Sequence, residues 1–114
     1  MSGLTVRWSL ANAPADIADR LRSYVEDPSH ARFSGMDGLR FKTWRMRPGE
    51  WFEGCYVFVD DPARDAFQTS FTVNAAESPG SRIVGAAPVL IEPCGVVAVA
   101  EGGSGFTSTA AYDR

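Results

Sequence analysis

Residues 38–61, GLRFKTWRMRPGEWFEGCYVFVDD, hold most of the side chains in this chain that could do chemistry. Lys42 and Arg45 bring cations, Trp44 and Tyr56 bring rings that carry a hydrogen-bond donor, and Phe41 and Phe58 add apolar rings. Phe67 and Phe71 follow at helical spacing. Rings with a few convergent donors suit a flat aromatic ligand: the rings enclose it and the donors fix its orientation. Tyr56 is the first candidate. It lies in mid-strand within GCYVFV, and Gly54, two residues earlier on the same face, leaves room beside it. Each residue also has a purely structural reading. Trp44 and the four phenylalanines can be core, and Lys42 and Arg45 can be solvated or paired, Lys42 with Glu53 across the hairpin. No metal-ligand cluster, nucleophile elbow, phosphate loop or dinucleotide fingerprint stands in the sequence, so the residues call for no cofactor and no metal.

The elements that must position these groups are legible in the pattern. Two aromatic-rich runs flank Pro48-Gly49 and read as a β-hairpin. Placing Met46 opposite Trp51 puts Trp44 by Glu53 and Lys42 by Cys55 on one face. Phe41 by Tyr56, Thr43 by Gly54 and Arg45 by Phe52 then share the other. A one-residue slip would send every side chain of one strand to the wrong face.

Residues 4–10 alternate strictly, with Leu4, Val6, Trp8 and Leu10 on one side, as in a half-buried strand. Pro14 then precedes an amphipathic run through Ile17, Leu21, Tyr24 and Val25 that should end before Pro28. Residues 28–37 read as a loop with a solvated His30 and one short turn near 31–33. Asp61 followed by Pro62 signals a second helix, with Asp61 as its cap and Ala63, Phe67 and Phe71 in one stripe, ending near Asn74. AAESPGS follows as an exit loop. Residues 83–92 form the expected last strand, at a sheet edge because Pro88 and Pro93 interrupt it, with a further strand segment over 95–100. The glycine-rich residues 101–114 read as a flexible tail.

The chain has 114 residues, 45% of them hydrophobic and 22% charged, with a net charge of −3. This is the composition of one globular domain, here residues 1–100, and it lacks the basic face that a nucleic-acid partner needs. Cys55 and Cys94 form no ligand or redox spacing and read as buried thiols in a reducing compartment. Neither a signal-peptide core nor a membrane span is visible, so the expected location is cytoplasmic, with no membrane partner.

The order β-α-β-β-α-β is the ferredoxin-like α+β pattern: one antiparallel sheet with two helices on one face. Its uncovered face would expose Trp and Val, which a second copy could bury.

GLRFKTW, the turn, GCYVFVDDPARDAF and the later VLIE resemble the YdhR-type family of monooxygenase-like proteins, over roughly residues 4–92. That family lies within the dimeric α/β-barrel superfamily of the antibiotic-biosynthesis monooxygenases. The resemblance implies a homodimer with a pocket between sheet and helices in each subunit. It also implies cofactor-free oxidation of a phenol- or quinol-like small aromatic molecule by dioxygen. Tyr56 and Trp44 would then be catalytic, and Lys42, Arg45, Phe41, Phe58, Phe67 and Phe71 would bind the ligand. Other relatives degrade haem with an asparagine, a tryptophan and a histidine, but the second helix here has no histidine. The alternatives are a non-catalytic ligand-binding protein on the same scaffold and a structural module with a filled core.

Overall fold

A computed structural model describes residues 1–112; residues 113–114, the end of the expected tail, lie outside the described residues. The elements are β1 (Ser2–Ser9), α1 (Ile17–Tyr24), α2 (His30–Phe33), β2 (Leu39–Arg47), β3 (Trp51–Phe58), α3 (Asp61–Val73), α4 (Pro79–Val84) and β4 (Leu90–Gly95). The four strands form one antiparallel sheet in the order β2-β3-β1-β4. This α+β arrangement is compatible with a ferredoxin-like fold.

Alternation in β1 does what the sequence predicts. Leu4, Val6 and Trp8 are buried while Thr5 and Arg7 are half-exposed. Ile17 and Leu21, one helical turn apart, bury the inner side of α1. With Leu10, Phe33, Phe52, Tyr56, Phe58 and Val84 they make the core between sheet and helices. The cap of α3 is Asp60, whose carboxylate accepts from Ala63 N at 2.9 Å; Asp61, the expected cap, is the first helical residue.

The hairpin register is shifted by one residue from expectation. Arg47 stands opposite Trp51, and the pairs run Met46 with Phe52, Trp44 with Gly54 and Lys42 with Tyr56. The cause is the turn. Glu50 N donates to Arg47 O at 2.9 Å around Pro48 and Gly49, whose φ is +79°, and Glu50 is then an extra loop residue before pairing begins. An irregularity in the pairing lies at the far end of β2, between Leu39 and Phe41. Lys42, Trp44 and Met46 therefore share the helix-covered face with Phe52, Gly54 and Tyr56, while Phe41 and Arg45 point to the other face with Trp51, Glu53, Cys55 and Val57.

The first helix ends before Pro28 as expected, the backbone leaving helical geometry at Asp27 (φ −158°, ψ 113°), and the short turn expected near 31–33 is the one-turn helix α2. One further segment differs from the sequence reading. Residues 79–84, expected partly as exit loop and partly as strand, are the helix α4, with Pro79 in its first turn and Gly85 (φ +84°) as its left-handed cap. The last strand is accordingly shorter, Leu90–Gly95, and residues 96–100 are not a strand.

Candidate functional site

The shifted register gathers the candidates. Lys42 and Trp44 from edge strand β2, Tyr56 and Gly54 from β3, Phe33 and Arg32 from α2, and Phe67 and Phe71 from α3 line one cavity between sheet and helices. Its enclosed volume is about 30 Å³, room for roughly one water. Trp44 and Phe52 also form one wall of a wider, more open cleft of about 250 Å³, bounded by Arg22, Val25 and the tail residues Ala110 to Tyr112.

Rings dominate the inner cavity. Tyr56 stacks on Phe58 at 6.0 Å with 11° between the planes, and it meets Phe67 at 4.9 Å and Phe33 at 5.6 Å. Lys42 ends among them, its Nζ 3.5 Å from the Phe33 ring centroid, 4.4 Å from that of Tyr56 and 4.5 Å from that of Trp44. Taken whole, Lys42 is half-buried, as expected on an edge strand, but the surroundings of the amine decide its charge. Burial, then the Arg32 guanidinium, pull its pKa well below the ordinary lysine range. The ring faces attract a cation and offset part of that cost. Lys42 is the only lysine of the chain, against ten arginines. Among the described residues no carboxylate pairs with it and no hydrogen bond satisfies its amine.

Tyr56 likewise makes no hydrogen bond through its hydroxyl. Burial raises its pKa, so the phenol stays protonated and is a donor. A methyl group on Gly54 would fall 3.0 Å from Lys42 Cε and 3.2 Å from the Tyr56 hydroxyl. The space over Gly54 is thus taken by these two side chains. Trp44 is anchored from the other side, its indole Nε1 donating to the buried Ser29 Oγ at 3.2 Å.

The remaining candidates separate. Phe58 is buried in the core behind Tyr56; Phe67 and Phe71 are half-buried, and no residue of α3 is fully buried. Phe41 and Arg45 lie on the opposite face of the sheet, outside the cavity. There the fully covered Glu53 carboxylate accepts from Arg7 Nε at 2.9 Å and Arg45 Nε at 2.7 Å. Glu53 therefore pairs with these arginines and not with Lys42. Both guanidiniums also lie near the Trp51 ring, Arg7 at 4.6 Å and Arg45 at 5.8 Å. Phe41 lies 6.5 Å from Phe106 of the tail.

Sequence reasoning missed Phe33, Ser29 and Arg32, all within the segment read as loop. The four-residue step from Ser29 to Phe33 was a helical signal, masked by Pro28 and the following Ser and Gly. His30, expected as solvated, is half-buried 5.9 Å from the Trp44 ring, and its Nε2 lies 3.3 Å from Ser108 Oγ. Cys55 is half-buried and Cys94 exposed, so the second thiol is not the buried one expected; both are free. Among the described residues no group of three His, Cys, Asp or Glu is placed to hold a metal ion, and no helix is long and apolar enough to cross a membrane. The chain matches no known family model, and no curated protein matches it in sequence.

Proposed function

We propose that the protein binds a phenol- or quinol-like aromatic molecule of one or two rings at the Lys42–Tyr56 cavity and oxidises it with dioxygen, without a cofactor. The observation that supports this is Lys42 itself: an amine with no carboxylate partner, enclosed by Phe33, Trp44 and Tyr56. An amine whose pKa is lowered by burial is a base. It takes the proton of a bound phenol, and the resulting ammonium–phenolate pair is stabilised where water is scarce. Tyr56 donates to the phenolate oxygen. An electron-rich substrate then supplies its own reducing equivalents: the ring C–H opposite the phenol oxygen becomes C=O, and the second oxygen atom leaves as water with that hydrogen and the phenol proton. Entry is through the 250 Å³ cleft, which shares Trp44 and Phe52 with the inner cavity.

The second reading is binding without turnover, favoured by the small enclosed volume. Both readings include a homodimer formed through the face away from the helices, where Phe41, Trp51, Val57 and Leu90 are half-exposed. The deciding experiment titrates a panel of phenols and quinols by tryptophan fluorescence and follows dioxygen uptake with each. Oxidation predicts uptake that falls in Tyr56→Phe and is lost in Lys42→Met. Quenching without uptake leaves the binding reading, and neither signal overturns both. Light scattering giving a 12.3 kDa particle would refute the dimer.

A further inference from the structure

We propose that Lys42 is a carbonyl-capturing nucleophile: its amine, caged by Phe33, Trp44 and Tyr56 at the cavity, condenses with small aromatic aldehydes to form an imine. This rests on the reading that the cavity is a ligand site, but it assigns that site a covalent chemistry that phenol binding does not require.

Three observations carry it. The first is residue choice. Every other side-chain cation of the chain is an arginine, which cannot give up its proton, and the single side chain able to present a neutral amine is the one placed among rings. The second is the lack of competition. The charged or titratable side chains around the amine are Arg32 from α2, Tyr24 from α1, and Cys55 and Tyr56 from β3, and none is a carboxylate that would hold an ammonium. The third is a donor at the right place. Lys42 Nζ lies 4.4 Å from the centroid of the Tyr56 ring, and both side chains line the same cavity.

The chemistry balances without an oxidant or reductant. The Nζ lone pair attacks the carbonyl carbon, a C–N bond forms, and the C=O π pair moves to oxygen, which the Tyr56 hydroxyl hydrogen-bonds. A proton passes from nitrogen to oxygen to give a carbinolamine. That species then loses its hydroxyl and the remaining amine proton as water, leaving C=N; water reverses the sequence. The ring of an aromatic aldehyde takes the place that the phenol ring would occupy at the Lys42–Tyr56 cavity.

The test uses the full chain, salicylaldehyde as probe, and sodium cyanoborohydride to reduce any imine to a stable secondary amine, followed by intact mass and peptide mapping. The expected result is a single adduct at Lys42, formed about tenfold or more faster in the folded chain than in urea-denatured chain, since the neutral amine fraction grows tenfold for each unit by which the pKa falls. Lys42→Arg should give no side-chain adduct, and Tyr56→Phe should slow trapping. Modification confined to the Met1 α-amine, or equal Lys42 rates in folded and denatured protein, would overturn the proposal. The mapping on unaltered protein keeps it testable if a variant does not fold. Plain phenol as competitor separates the two readings. Phenol that quenches fluorescence without any Lys42 adduct leaves phenol binding standing and refutes imine formation. An adduct that phenol does not suppress leaves imine formation standing and removes the phenol reading.

Discussion

Lys42 Nζ lies 3.5 Å from the centroid of the Phe33 ring, closer than to either of the other two rings that enclose it. This contact joins the edge strand β2 to the short helix α2, and no ion pair supplements it. The amine thus gives up water for ring faces, an exchange in which the loss of solvation exceeds the attraction returned.

Replacing Lys42 with Met should therefore stabilise the fold at neutral pH, by about 1–2 kcal/mol once the lost ring–cation attraction is set against the released desolvation. The sign of the pH effect follows from the lowered pKa. Between the folded value and the ordinary one near 10.4, the unfolded chain binds the proton and the folded chain does not, so stability rises with pH across that window. Urea midpoints of the parent should climb as pH rises towards about 10.4 relative to Lys42→Met, which lacks this slope. A variant less stable than its parent at pH 7 would show that the rings outweigh burial.

Gly54→Ala tests the crowding above β3. The added methyl would meet Lys42 Cε at 3.0 Å and the Tyr56 hydroxyl at 3.2 Å. We expect a loss of about 1–3 kcal/mol, the usual cost of overpacking. Most of it should be recovered by also changing Lys42 to Ala, because the long stem is what must move. Strictly additive losses in chemical denaturation would place the strain on Tyr56 instead.

Much of the fold and part of the site were legible in the sequence, and the failures have local causes. The alternation of Leu4, Val6 and Trp8 and the spacing of Ile17 and Leu21 report burial directly. Register was not legible, because Glu50 can end the loop or begin the strand with equal local preference, and the turn hydrogen bond decides. That single residue separated Tyr56 from Lys42 in the sequence reading and joins them in the fold. In residues 79–84 the β-branched Ile83 and Val84 suggested a strand. Pro79, Gly85 and the burial of Val84 beneath the sheet favour a helix, a tertiary effect that no short window contains.

Glu53 predicts an acid response. Burial opposes its ionisation, but the hydrogen bonds from Arg7 and Arg45 prevail and hold its carboxyl below the ordinary range. Its cover is the two guanidiniums, themselves partly in solvent, so the effect is moderated by screening. A depressed carboxyl stabilises the fold above the unfolded value and loses that contribution as pH falls through the folded value. Glu53→Gln should cost about 1.5–3 kcal/mol at neutral pH, the range for hydrogen bonds to a charged group, and should reduce the loss of stability below about pH 4. Equal acid midpoints for parent and variant would show that the pair contributes nothing.

Trp8 and Ser81 provide the last prediction, on what holds α4 in place. The indole Nε1 of Trp8 donates to Ser81 Oγ at 2.9 Å, and Ser81 Oγ in turn donates to Ala75 O at 2.6 Å. Both residues are buried, and Gly80 lies so close that a Cβ there would stand 2.9 Å from the indole ring. Ser81→Ala leaves a sealed N–H without an acceptor, which costs about 1–3 kcal/mol. Gly80→Ala drives a methyl into a ring fixed between Phe52 and Phe71 and should cost as much or more, since that ring has no flexible end to give way. Trp8→Phe introduced with Ser81→Ala removes the orphaned donor, so the double variant should lose less than the sum of the two single losses. Urea denaturation of the parent and the four variants measures all of this. If Ser81→Ala unfolds at the parent midpoint, the hydrogen bond does not hold α4, and Gly80 contact with the indole alone must position it.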